Sequence, residues 1–163
     1  MIIMEGNLLH SPIQIIAHQV NSIGVFGAGV ARQIKDLYPE VYYAYANYTK
    51  DFKELNDITP LGECFVQETG DKRHIILNVF GQEGYGRDKR YTDYEALRKG
   101  FVNGIHWVRD EYQNGEYYGM LQLTIAIPYK IGCGLAGGDW EVVKKILEEI
   151  EQEENVLFIA YQL

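Results

Sequence analysis

The chain has 163 residues, 47% of them hydrophobic and 23% charged, enough apolar material for one globular domain over residues 1–163 with a real core. A formal net charge of −8 argues against general nucleic-acid binding and against an anionic membrane surface, both of which call for a basic face. Two cysteines, Cys64 and Cys133, make neither a disulfide framework nor a zinc cluster, and they point to a reducing, cytoplasmic location.

Met1 to Met4 is a short apolar run ended by Gly6, and Ile13 to Val20 reads as a buried strand. Asn21 to Gly29 is a glycine-containing loop. Val30 to Tyr38 reads as a helix that stops before Pro39, and Pro39 suits the first turn of a second helix running to about Phe52. The tyrosines of that helix (Tyr42, Tyr43, Tyr45, Tyr48) suit packing against a core edge, because no basic tracks accompany them as a base-stacking surface requires. Cys64 to Thr69 and Arg73 to Phe80 form a predicted hairpin around Gly70-Asp71. A polar loop covers Gly81 to Arg90.

Thr92 with Glu95 three residues on reads as a capping box, opening a helix to about Glu111. A polar turn is expected at Gln113 to Gly119, then a strand over Leu121 to Pro128, a helix over Trp140 to Glu151 and a closing strand over Val156 to Tyr161. Strands alternating with helices imply an α/β fold: a mixed, mostly parallel sheet of about six strands, covered on both faces. No run reaches the ~18 apolar residues that span a bilayer, and the N-terminus lacks the basic and apolar regions of a signal peptide.

Two loops carry the chemistry. Gly132-Cys133-Gly134-Leu135-Ala136-Gly137-Gly138 joins an apolar strand to a helix, and so does Gly24-Val25-Phe26-Gly27-Ala28-Gly29-Val30. Glycine-rich turns let backbone N–H groups approach a phosphate, and a helix N-terminus adds a favourable dipole. Ligands of open α/β sheets lie beyond the carboxyl ends of the strands, where two such loops can hold a diphosphate between them. Gly132, Gly134 and Gly137 match the dinucleotide fingerprint G-x-G-x-x-G, but one helix and one strand follow, too little for a hydride-transfer fold. No P-loop motif, no metal-binding motif and no resident cofactor is expected.

Four stretches resemble the successive signatures of macrodomains: Glu5-Gly6-Asn7-Leu8-Leu9, Val20-Asn21-Ser22, Gly27-Ala28-Gly29-Val30-Ala31 and Ile131-Gly132-Cys133-Gly134-Leu135. The resemblance implies a three-layer α/β/α fold that binds ADP-ribose or a derivative, with Gly27, Ala28, Gly29, Val30, Gly132, Cys133, Gly134 and Leu135 around the diphosphate and distal ribose. The segment His18 to Asn21, Asn7, and Tyr161-Gln162-Leu163 resemble fungal ADP-ribose-1''-phosphate phosphatases. Tyr94-Glu95 and Ile131 to Leu135 resemble terminal ADP-ribose glycohydrolases. That second branch uses a lysine and an aspartate where this chain has Gln82 (or a neighbour) and Ala136. The expected activity is hydrolysis of ADP-ribose-1''-phosphate or a related derivative. The alternatives are a non-catalytic ADP-ribose-binding module, or removal of ADP-ribose from a macromolecule.

His18, near the end of a buried strand, is a candidate general acid or base, or a contact to a terminal phosphate. Asp139 is a candidate for orienting a water, and equally an N-cap. Asn21 is a candidate ribose donor, or a turn residue bonding its own backbone. Leu8 is a candidate ligand contact; the resemblance implies that Asn7, where many macrodomains have an acidic residue, meets the adenine amino group through its carbonyl, and Tyr161 and Leu163 are candidates to flank the adenine. Cys133 is expected to offer a backbone amide rather than a thiolate. Arg87, Lys89 and Arg90 are candidates for an extra ligand phosphate, or simply a solvated loop.

Overall fold

The computed structural model describes residues 1–111 and 122–163. The expected turn at Gln113 to Gly119, and Leu121, lie outside the described residues. The elements are β1 (Ile2–Glu5), a 3-10 turn (Leu8–His10), β2 (Ile15–Asn21), α1 (Gly29–Leu37), α2 (Pro39–Asn56), β3 (Cys64–Glu68), β4 (Ile75–Gln82), α3 (Tyr94–Glu111), β5 (Leu123–Pro128), α4 (Trp140–Glu154) and β6 (Val156–Gln162). The six strands form one sheet in the order β1-β6-β5-β2-β4-β3. Every pairing is parallel except the antiparallel β3–β4 hairpin.

Alternation along the strands builds two cores. Ile15, Ala17, Leu77, Val79, Ile125 and Phe158 face α3 and α4. Ile16, Val20, Ile76, Phe80 and Ala126 face α1 and α2, where Ile34, Val41 and Tyr45 meet them. A sheet apolar on both faces needs both covered, which gives the three-layer α/β/α sandwich. Tyr45 is fully buried while Tyr43 is exposed, as expected of a helix laying one edge on the core.

The helix boundaries differ from expectation by a residue at each end of α1, Gly29–Leu37, and also in the other three helices. α2 and α4 run on to left-handed C-caps at Asp57 (φ 56°) and Asn155 (φ 53°), residue types that tolerate this conformation. The cap of α3 is Asp93, whose Oδ1 accepts the Ala96 N–H at 3.0 Å. Thr92 is drawn away by a tertiary contact instead: its Oγ1 donates to the Gly132 carbonyl at 2.6 Å. Among the described residues, no helix is long and apolar enough to cross a membrane.

Candidate functional site

The carboxyl ends of β2, β4 and β5 open into a cavity of about 590 Å³. Its walls are the loop after β2 with the start of α1 (Val25 to Ala31) and the loop after β5 (Ile131, Gly132, Gly134, Leu135, Ala136). His18, Gln19, Asn21, Gln82, Tyr85 and Pro128 complete it. A second cleft of about 280 Å³ adjoins it, lined by Asn7, Leu8, Leu9, Gln33, Tyr161 and Leu163, among others. Gly29, Val30 and Pro128 line both spaces.

The first loop is held from inside. Asn21 Oδ1 accepts the N–H groups of Ile23 and Val25, both at 3.2 Å, and its Nδ2 donates to the Val25 carbonyl at 2.7 Å. The buried Tyr45 hydroxyl donates to the Asn21 carbonyl at 2.5 Å. Phe26 stacks on Tyr45 with ring centres 4.3 Å apart and meets His18 edge-on at 5.2 Å. Asn21 therefore lines the cavity chiefly as the organiser of its loop, the turn alternative; one Nδ2 hydrogen is left for a ligand.

That loop delivers α1 with an open N-terminus. Ala28 occupies the N-cap, makes no side-chain capping bond, and no acidic residue stands in the first turn. Gly29 takes φ 59°, a left-handed turn into the helix that a side chain would strain. The first N–H groups of a helix have no intrahelical acceptor, and here they line the cavity.

The second loop closes on itself around different atoms. Gly138 N–H donates to the Gly132 carbonyl at 2.9 Å, and Gly137 N–H to that of Gly134 at 3.0 Å. A Cβ on Gly138 would fall 2.5 Å from the Gly132 oxygen, so only glycine closes this turn. The Cys133 N–H is taken by the Lys130 carbonyl at 2.9 Å, which corrects its expected role as an amide donor. Cys133 instead turns toward the core beneath α3 and α4, and burial pushes its thiol up to about 11. Among the described residues, Gly134, Leu135 and Ala136 keep N–H groups with no protein acceptor.

Gln19, which the sequence did not single out, ties the floor together. Its Nε2 donates to Gln82 Oε1 at 2.8 Å and to Thr92 Oγ1 at 2.9 Å. Gln82 Nε2 donates to the Gly84 carbonyl at 2.7 Å, so Gln82 braces the turn after β4. A polar side chain directly beside His18, near the end of a strand, was the available signal.

His18 is buried, and its Nε2 lies 2.8 Å from Asn78 Oδ1. Burial, partly offset by that hydrogen bond, lowers its pKa to about 4, so the ring is neutral at pH 7. Asp139 does not line the cavity; its Oδ1 accepts the Glu141 N–H at 2.9 Å as the N-cap of α4. In the second cleft, Asn7 Oδ1 accepts the Leu9 N–H at 2.9 Å. That oxygen keeps a second lone pair, so Asn7 can face a ligand as the expected acceptor and also through Nδ2 as a donor.

The layer order, the strand ends and the paired loops define an α/β sandwich with a glycine-loop-walled cleft at its sheet's carboxyl edge. The family model of the Macro domain matches residues 17–147, and the chain belongs to that family. It is 28% identical over 162 residues to a DNA ADP-ribosyl glycohydrolase of Thermus aquaticus, covering 98% of this chain and 40% of the relative. The chain thus spans less than half the length of the glycohydrolases it matches, at 37–40%. It is 25% identical over 183 residues to an ADP-ribose 1''-phosphate phosphatase of Aspergillus oryzae, covering 90% of this chain and 87% of the relative. The solved macrodomain of Mycobacterium tuberculosis DarG superposes with a TM-score of 0.75 at 25% identity, covering 99% of this chain and 98% of that one.

Proposed function

We propose that residues 1–163 form one macrodomain that binds ADP-ribose or a terminally modified derivative and hydrolyses ADP-ribose-1''-phosphate or a close relative. The observation that carries the binding is the uncapped start of α1, facing the free N–H groups of Gly134, Leu135 and Ala136 across the cavity. Among the described residues the cavity lining contains no Lys, Arg, Asp or Glu, so backbone dipoles and neutral side chains meet the diphosphate. The adenine occupies the cleft beside Asn7, Leu8 and Tyr161, with Asn7 Nδ2 donating to a ring nitrogen. The distal ribose lies toward Asn21, Gln82, Tyr85 and His18.

In the hydrolysis, water attacks the terminal phosphorus and the bond from phosphorus to the C1'' oxygen breaks, giving ADP-ribose and inorganic phosphate. The neutral imidazole of His18 accepts the water's proton and returns it to the leaving C1'' oxygen, so the ring ends neutral as it began. Asp139 serves as a cap and takes no part. The match to a phosphatase relative over 87% of its length supports this reading. The uncharged lining favours a second one, a module that holds ADP-ribose on a macromolecule without cleaving it. The two free cysteines are in keeping with a cytoplasmic location.

Calorimetry with ADP-ribose and phosphate release from ADP-ribose-1''-phosphate test both. Binding with release supports the hydrolase. Binding without release leaves the module, and absence of binding removes both.

A further inference from the structure

His18 on β2 and Asn78 on β4 are register partners, and Asn78 is fully buried. The Asn78 amide is oriented from its far side. Its Nδ2 donates to the Phe65 carbonyl at 2.9 Å and to Gln67 Oε1 at 3.0 Å, both on β3. With both N–H bonds committed, Asn78 offers His18 an oxygen only. The hydrogen in the 2.8 Å contact therefore belongs to His18 Nε2, and in the neutral ring Nδ1 is a bare acceptor.

Nδ1 is buried without a partner among the described residues, in a side chain that is 1% exposed and lines the cavity. A buried acceptor left unmet is costly, and the surrounding cluster of Ile16, Val20, Ile76 and Phe80 would pack an apolar pair better. Packing does not explain the relay Gln67–Asn78–His18 across three strands.

We infer that Asn78 is a positioning residue: it holds His18 as the Nε2–H tautomer, so that Nδ1 accepts an O–H from the ligand's distal end or from the attacking water. What Nδ1 accepts from rests on the proposed function; the tautomer does not.

Long-range proton–nitrogen NMR on uniformly labelled protein at pH 7 reads the tautomer directly. Pyrrole-type Nε2 and pyridine-type Nδ1 resonances for His18 are expected. A protonated Nδ1 in the free protein overturns the inference, whatever the protein does. Saturating ADP-ribose-1''-phosphate is expected to move the Nδ1 resonance; saturation that leaves it in place also overturns it. Asn78→Asp keeps an acceptor and is expected to keep the tautomer. Asn78→Ala is expected to mix the tautomers and, if the protein is a hydrolase, to lower kcat about tenfold with KM little changed. If Asn78→Ala does not fold, the wild-type spectra decide alone. If no ADP-ribose compound binds, the proposed function falls and the free-protein tautomer still decides the role of Asn78.

Discussion

Thr92 Oγ1 donates to the Gly132 carbonyl at 2.6 Å while accepting from Gln19 Nε2 at 2.9 Å, so one hydroxyl fastens the second glycine loop to the cavity floor. Thr92→Val removes both bonds but keeps the shape. The Gly132 carbonyl keeps its bond from Gly138 N–H and Gln19 Nε2 its bond to Gln82, so the loss is that of two hydrogen bonds with no group orphaned, about 1 kcal/mol. Urea unfolding is expected to show that loss, and calorimetry a weaker affinity for ADP-ribose. Unchanged values for both would remove Thr92 from the site's support.

Ala28→Asp separates stability from binding. Ala28 has extended backbone (φ −152°, ψ 167°), the conformation of a capping residue. An aspartate there would cap α1 and complement its dipole, raising stability by about 1 kcal/mol. The same carboxylate occupies the N–H groups proposed for the diphosphate and repels it. Affinity for ADP-ribose is expected to fall about tenfold or more, worth about 1.4 kcal/mol. A stabilised variant with intact affinity would move the diphosphate elsewhere.

Asp139→Ala is expected to cost about 1 kcal/mol through the lost cap on the Glu141 N–H. Its thermal midpoint should drop while phosphate release keeps its wild-type kcat. Abolished turnover in a folded variant would return Asp139 to the chemistry.

His18 gives stability a pH dependence. Its folded pKa of about 4 lies below the ordinary 6.5, so between these values the unfolded chain binds the proton more readily. The contribution is whole above pH 6.5 and is lost progressively as pH falls toward 4. The shift corresponds to about 3 kcal/mol at most. Denaturant titrations of wild type and His18→Gln across pH 4–7 check this: the difference between them should shrink toward acid. A constant gap would contradict a neutral, desolvated ring.

The element order was legible in the sequence because both signals are local. Apolar runs mark strands buried on two faces, and 3.6-residue periodicity with proline marks the helix starts. The two glycine loops could be placed at strand ends for the same reason. What stayed hidden depends on partners distant in the chain. Asn21 became a loop organiser because Tyr45, twenty-four residues on, closes over it. Thr92 left its cap for a carbonyl forty residues away. Gln19 and Asn78 look like polar residues without partners along their strands until the sheet sets Gln82, Gln67 and His18 beside them. The Cys133 amide was misplaced because a loop sequence does not say which N–H groups point inward.

Gly29, Val30 and Pro128 wall both the larger cavity and the smaller cleft. Two short fragments, a nucleoside in one and a phosphorylated sugar in the other, each lose their own freedom of movement and crowd the same partition. A single molecule joined across it loses that freedom once, and its second half arrives at a high effective concentration. On the proposed function, the shared wall would favour two-headed ligands, selecting the linkage as much as either head.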